Sequence, residues 1–291
     1  MAGLSDWSAH GILITDGAWG TRLQELGLEP GEIPDSWNLA WPERVEQIAR
    51  EYVEAGSEVI LTNTFRANRI TLASAGLAGQ ARRINAAGVE LSRRAAAGRA
   101  RVAASIGPTG KMLMTGEVAA EELYAAFLEQ AEALAEAGAD ALLVETMSDL
   151  EEARIALRAA RSTGLPVIVS FAFDTGRNRD RTMMGVTPEQ AAAEMQTAGA
   201  DAVGANCGAG IERFPALCAR MRHACSLPIW IKANAGLPEW RDGRAVYTAA
   251  PEAFASHLPA LAEAGAAFVG GCCGTSPAFI RALAAAREAL L

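Results

Sequence analysis

The segment EAGADALLVETM, residues 136–147, closes a helix, turns and opens a buried strand. Glu136 and Ala137 end a stretch rich in Ala, Leu and Glu (117–137), residue types that favour a helix. Gly138 supplies the left-handed residue with which many helices end. Ala141 to Val144 is an unbroken apolar run, the pattern of a parallel strand covered on both faces. Glu145 and Thr146 then add a polar tail. The phrase returns as EAGSEVILTNTF (54–65), TAGADAVGANCG (197–208) and EAGAAFVGGCCG (263–274).

Strand alternating with helix makes a parallel sheet. Apolar runs near 12–16, 58–63, 101–106, 141–145, 166–173, 202–206, 228–233 and 267–271 are the strand candidates. Eight βα units in 291 residues predict an α/β protein, a (β/α)8 barrel forming a single domain over 1–291. No Gly-x-Gly-x-x-Gly follows the first strand, which weighs against an open dinucleotide-binding sheet. DTGRNRDRTMMGVTPEQ, after the fifth run, reads as a long loop at the barrel mouth.

A formal charge of −8 with no dense Lys/Arg run argues against nucleic-acid binding. No basic leader followed by an apolar run, and no apolar stretch of about 20 residues, is present; the expectation is a cytoplasmic protein that does not enter a membrane. Self-association is left open.

Barrel chemistry collects at the C-terminal ends of strands. The cysteines are 207, 218, 225, 272 and 273, too few and too odd in number for a disulfide framework. Cys218 and Cys225 fall in a helix-like segment and the loop after it, and read as small apolar filler. Cys207, Cys272 and Cys273 fall at strand ends. By itself the adjacent pair in FVGGCCGTSP (268–277) allows redox partners, metal ligands or core filler. With the third strand-end thiol, three thiolates and one open position describe a catalytic zinc site better than a closed structural one. Successive strand residues face opposite ways, so both members of the pair can meet one ion only if the chain turns sharply, and Gly270, Gly271 and Gly274 permit that.

Taken together, DGAWGT, NTFRAN, GANCG and GGCCGT resemble the homocysteine S-methyltransferase family, in order and from about Ile12 to Ile280. The family includes betaine- and S-methylmethionine-dependent enzymes and the homocysteine-binding module of cobalamin-dependent methionine synthase. The resemblance implies a barrel holding zinc on Cys207, Cys272 and Cys273, with the sulfur of homocysteine completing the metal shell and no catalytic residue beyond the metal site. It implies Asp16 and Glu145 near the substrate ammonium. The carboxylate would be received by backbone N–H groups around Gly17 with Ser105 or Thr64. Asn206 is read either as a substrate contact or as a tie between strand-end loops, and Asn63 and Asn234 likewise. Trp19, Phe65 and Phe171 are candidates for the face that meets a cationic methyl donor, against packing roles for each. Trp37 and Trp41, in PDSWNLAWPERV, are read as loop packing.

The implied partners are small molecules, homocysteine and a methyl donor. An onium donor such as betaine or S-methylmethionine suits a chain with room for one barrel. A separate methylcorrinoid protein is the alternative, and a non-catalytic zinc or thiol sensor is the alternative of another class. A phosphate-binding sugar lyase is disfavoured, because backbone phosphate binding has no use for the cysteines.

Overall fold

The computed structural model describes residues 3–241 and 244–290. Eight parallel strands form the central sheet: β1 (Leu13–Ile14), β2 (Val59–Leu61), β3 (Arg101–Ile106), β4 (Ala141–Met147), β5 (Val167–Phe171), β6 (Ala202–Gly210), β7 (Ile229–Asn234) and β8 (Ala266–Gly271). Their order is β1-β8-β7-β6-β5-β4-β3-β2. A parallel bridge between Thr15 and Val59 brings the two ends together, with Glu58 N donating to Ile14 O at 2.8 Å. The sheet is thus a nearly closed barrel, the expected (β/α)8 architecture, and all eight strand candidates are strands.

The repeated phrase performs the role its glycine suggests. Gly56, Gly138, Gly199 and Gly265 each take a positive φ, between 89° and 104°, where a helix hands over to a strand. The helix Ala120–Glu136 matches the stretch expected to be helical, and Pro188–Ala198 forms the helix before β6. Thr187 caps the second through a reciprocal pair with Gln190.

Two apolar layers result. One lies between helices and sheet. The other fills the barrel, where Val59, Leu61, Leu143, Ile168, Trp230 and Phe268 interdigitate, and Leu4 and Trp7 of the short helix Leu4–Trp7 join them. The barrel is therefore a packed core with chemistry at one end only. The loop after β5 is tied down by Arg220, which pairs with Asp180 at 2.7 Å and Glu189 at 2.6 Å. Two further strands (Glu239–Arg241 and Arg244–Val246) pair antiparallel beyond β7; the sequence reading did not anticipate them. No helix among the described residues is long and apolar enough to cross a membrane.

One expected donor contact is corrected here. Phe171 has no exposed surface and packs in the helix–sheet layer beside Phe173, ring centroids 6.3 Å apart. Its place in β5 turns it away from the mouth. Phe171→Ala is expected to cost about 3–5 kcal/mol of unfolding free energy in a urea titration, the penalty of a cavity in a packed core.

Candidate active site and metal centre

At the C-terminal ends of the strands lies a cavity of about 320 Å³. Cys207, Cys272 and Cys273 stand in its wall, and their sulfurs all lie within 4.8 Å of one another. A tetrahedral zinc with bonds of about 2.3 Å places sulfurs roughly 3.8 Å apart, so the donor set fits such an ion.

Local backbone explains how three thiols converge. The β6–β7 register slips between Cys207 and Gly210, and Cys207 itself adopts a left-handed φ of 62°. Such a conformation in a residue other than glycine persists only where its surroundings enforce it. Asn234, ending β7, is the enforcing group. Its Nδ2 donates to Gly208 O at 3.2 Å and reaches Cys207 Sγ at 3.7 Å, while its Oδ1 accepts from Cys273 N at 3.0 Å. One amide thereby joins both cysteine-bearing loops. Past β8 the chain turns as expected, but through one glycine. Gly274 takes φ 78°, and a side chain there would run into the ring of Tyr247. Gly270 has a different reason to lack a side chain: one would strike Thr15 and the Asp16 carbonyl, just past the end of β1.

The thiols share protons unequally. Cys272 and Cys273 act as donors toward Cys207, which holds the Cys207 thiol far below its ordinary range, and Gly208 and Asn234 add to the effect. Cys272 and Cys273 are raised in consequence. Cys218 is pushed up to about 12 by burial, the inert behaviour of filler, and Cys225 is buried too.

A sequence model of the family described as Homocysteine S-methyltransferase matches residues 13–287. The chain belongs to that family. It is 32% identical over 300 aligned residues to the methionine synthase of Mycobacterium tuberculosis, an alignment covering 97% of this chain and 25% of that protein. The methionine synthase of Mycobacterium leprae is similar at 31% identity over 96% of this chain and 24% of its own. The chain thus spans about a quarter of the curated relatives it matches. Among solved structures, the metallated form of the homocysteine methyltransferase MmuM from Escherichia coli superposes with a TM-score of 0.79 at 26% identity, covering 94% of this chain and 96% of that one.

Seen against this family's expected pattern, the cavity wall keeps some residues and excludes others. Gly17, Trp19, Phe65, Ser105 and Glu145 line it. Glu145 is buried, accepts a 2.5 Å hydrogen bond from Ser105 Oγ, and is pushed up to about 7 because burial penalises its charge. Thr64 has no exposed surface and does not line the cavity; its hydroxyl donates to Ser105 O at 2.7 Å. Asn206 proves to be a tie: Oδ1 accepts from Thr146 N at 2.9 Å and Ser170 Oγ at 2.6 Å, and Nδ2 donates to Thr146 Oγ1 at 2.7 Å. It thereby holds Thr146, a wall residue, at a left-handed φ of 63°. Asn63 is a tie as well, donating to Pro34 O at 2.8 Å and Asn38 Oδ1 at 3.0 Å, although it also borders the cavity. Trp37 and Trp41 pack around Arg44, as expected of a loop.

Asp16 departs furthest from expectation. It is fully buried and stands behind the wall, with both oxygens already engaged. Oδ2 accepts from Leu61 N at 2.7 Å and Trp19 Nε1 at 2.8 Å, and Oδ1 pairs with Lys232 Nζ. Lys232, which the sequence reading passed over inside KANAG, does form part of the wall. Also missed were Asp35, a buried wall carboxyl pushed up to about 7 by burial, and Tyr247, whose phenol lies beside Cys273. A lysine in an otherwise apolar β7 run was the available signal for the first; loop residues carry no comparable one.

Two measurements test this construction. Asn234→Ala is expected to weaken zinc binding by about 10- to 100-fold in a chelator competition, as loss of a group that orients ligands does. Glu145→Gln tests the buried carboxyl. Its pKa is higher folded (about 7) than unfolded (4.5), so the folded state binds more protons between these values and stability falls as pH rises through them. The glutamine variant is expected to melt with wild type at pH 4 and above it at pH 8, by up to about 3 kcal/mol.

Proposed function

We propose that the chain is a zinc-dependent homocysteine S-methyltransferase that moves a methyl group from an onium donor, betaine or S-methylmethionine, to the homocysteine thiolate. The observation that carries this reading is the trio of sulfurs within 4.8 Å, in the same wall as a buried carboxyl. Membership of the family and the likeness to a metallated homocysteine methyltransferase support it. Zinc held on Cys207, Cys272 and Cys273 would supply a Lewis acid that favours the thiolate form of a substrate thiol and fixes its direction.

The chain's own residues do the rest. Glu145, once ionised, accepts the substrate ammonium in a charge-assisted hydrogen bond, and Ser105 fixes its orientation. Trp19 and Phe65 offer aromatic faces to a cationic methyl group, a contact worth about 0.5–2 kcal/mol each. The new bond joins carbon to the homocysteine sulfur; the broken bond leaves its electron pair on the donor's nitrogen or sulfur, which departs neutral. The product is methionine. No proton has to be delivered to the leaving group.

A second reading has its own support. The chain spans about a quarter of the methionine synthases it matches, so the methyl group could reach the same thiolate from a corrinoid carried by another protein. Zinc-loaded protein given homocysteine with betaine, S-methylmethionine, S-adenosylmethionine or methylcobalamin separates the two. Methionine formed from betaine or S-methylmethionine is the expected result; turnover with methylcobalamin alone would establish the corrinoid route. Cys273→Ala is expected to lose zinc and all methionine formation while its circular dichroism stays that of a folded barrel. Zinc in the wild type with no turnover from any donor would point to a sensor.

A further inference from the structure

We propose that Asn206 is a positioning residue that turns Cys207 and the Glu145–Thr146 pair into the cavity together, so that one amide sets both the metal centre and the buried acid. This rests on the zinc site proposed above and names what aims it.

Plain strand geometry would not bring these side chains to one cavity, because successive strand positions face opposite ways. In β4, Ala141 and Leu143 fill the barrel, while Leu142 and Val144 pack toward the helices. Glu145 follows on the barrel side, so Thr146 should turn out and Met147 in. The reverse is found. Thr146 lines the cavity beside Glu145, and Met147 packs in the helix layer. The register shows why. Val144 pairs with Val169 and Met147 with Phe171, so Glu145 and Thr146 together stand opposite the single Ser170. One extra residue of this kind is a β-bulge, which re-aims the side chains around it. β6 breaks step as well. Ala202 faces the barrel, and Val203 and Ala205 face the helices, so Asn206 falls inside and Cys207 should point out. Its left-handed φ of 62° brings it to the cavity wall instead.

Asn206 links the two irregularities. It is 1% exposed, and its amide reaches across β5. Thr146 N and Ser170 Oγ donate to its Oδ1, and its Nδ2 donates to Thr146 Oγ1. All three bonds go to the bulge or to the residue facing it. Two of them hold Thr146 at a φ of 63°, a rare conformation for a β-branched residue. The next residue in the chain is Cys207. Asn234 grips the chain after Cys207 through Gly208 O, and Asn206 fixes it before. The bend that presents a metal ligand is therefore pinned on both sides, and its upstream pin is the bulge that presents Glu145. Ser170 belongs to this unit although it stands outside the cavity wall.

The test replaces zinc with cobalt(II), whose visible bands on thiolate ligands follow the coordination geometry. At saturating cobalt, Asn206→Ala is expected to show shifted, weakened bands while its circular dichroism stays that of a folded barrel. Its cobalt affinity in a chelator competition is expected to fall about 10- to 100-fold. Ser170→Ala, which removes one hydrogen bond to the amide, is expected to move both readouts the same way, with an affinity loss of about 2- to 10-fold. In the Asn206→Ala background it is expected to add nothing. Should Asn206→Ala fail to fold, Ser170→Ala decides by the same bands. Wild-type bands and affinity in Asn206→Ala, or in Ser170→Ala when that variant decides, would overturn the role of Asn206 while the metal site still stood. So would a Ser170→Ala loss that is as large without Asn206 as with it. Wild type that takes up no cobalt would instead remove the zinc reading, and this inference with it.

Discussion

The Asp16–Lys232 ion pair is the constraint around which the mouth of this barrel is arranged. It joins the end of β1 to β7 across the intervening β8, between residues 216 positions apart in the chain. Both side chains are almost wholly buried, and a buried charge is tolerated only when paired and hydrogen-bonded. Removing one partner of such a pair typically costs about 3–5 kcal/mol. β8 must therefore pass between two committed neighbours. It does so without a side chain at Gly270, and Gly271 N donates to Asp16 O at 3.0 Å on the way. The turn that follows carries Cys272 and Cys273. Placement of two thiols thus depends on a salt bridge that neither touches.

The same pair decides what each mouth carboxylate is free to do. Asp16 is occupied from all sides and acts as framework. Glu145, in the cavity wall, accepts from the Ser105 hydroxyl and is pushed up to about 7 by burial, against a lowering pull from Lys232. Two acids that look alike as polar tails of apolar runs therefore play different parts. Environment, not residue type, separates them.

How much could be read from the sequence follows from the range of the interactions involved. The strands were legible because each is an apolar run, four of them opened by a glycine cap, information contained within about a dozen residues. The cysteines were legible because strand-end position alone brings 207, 272 and 273 to one face of a barrel. Lys232 was not legible as a site residue. A lysine near a strand end usually points to solvent, and its partner lies on the first strand. Thr64, Asn206 and Phe171 were left between contact and strut for a related reason. A polar or aromatic residue at a strand end is as readily a strut as a contact, and only the finished hydrogen-bond network or packing distinguishes them. Tyr247 and the extra hairpin belong to a connection whose sequence has no periodic pattern.

Two buried acids stand in the wall of this mouth. Glu145 and Asp35 are two buried carboxyls both raised toward 7 by burial, while the one buried ammonium nearby is already matched by Asp16. Near neutral pH each acid gains little by ionising, because burial outweighs the partial compensation from Lys232 toward Glu145 and from Arg66 toward Asp35. On the proposed reading a ligand ammonium would change that balance: it would stabilise the charged form of Glu145, so that binding and loss of the carboxyl proton become one event. A thiol without an ammonium gives no such return and leaves the carboxyl protonated. On the proposed reading, selectivity for an amino acid over a simple thiol would then arise from a charge whose formation the substrate itself makes favourable, on a wall braced by the Asp16–Lys232 pair.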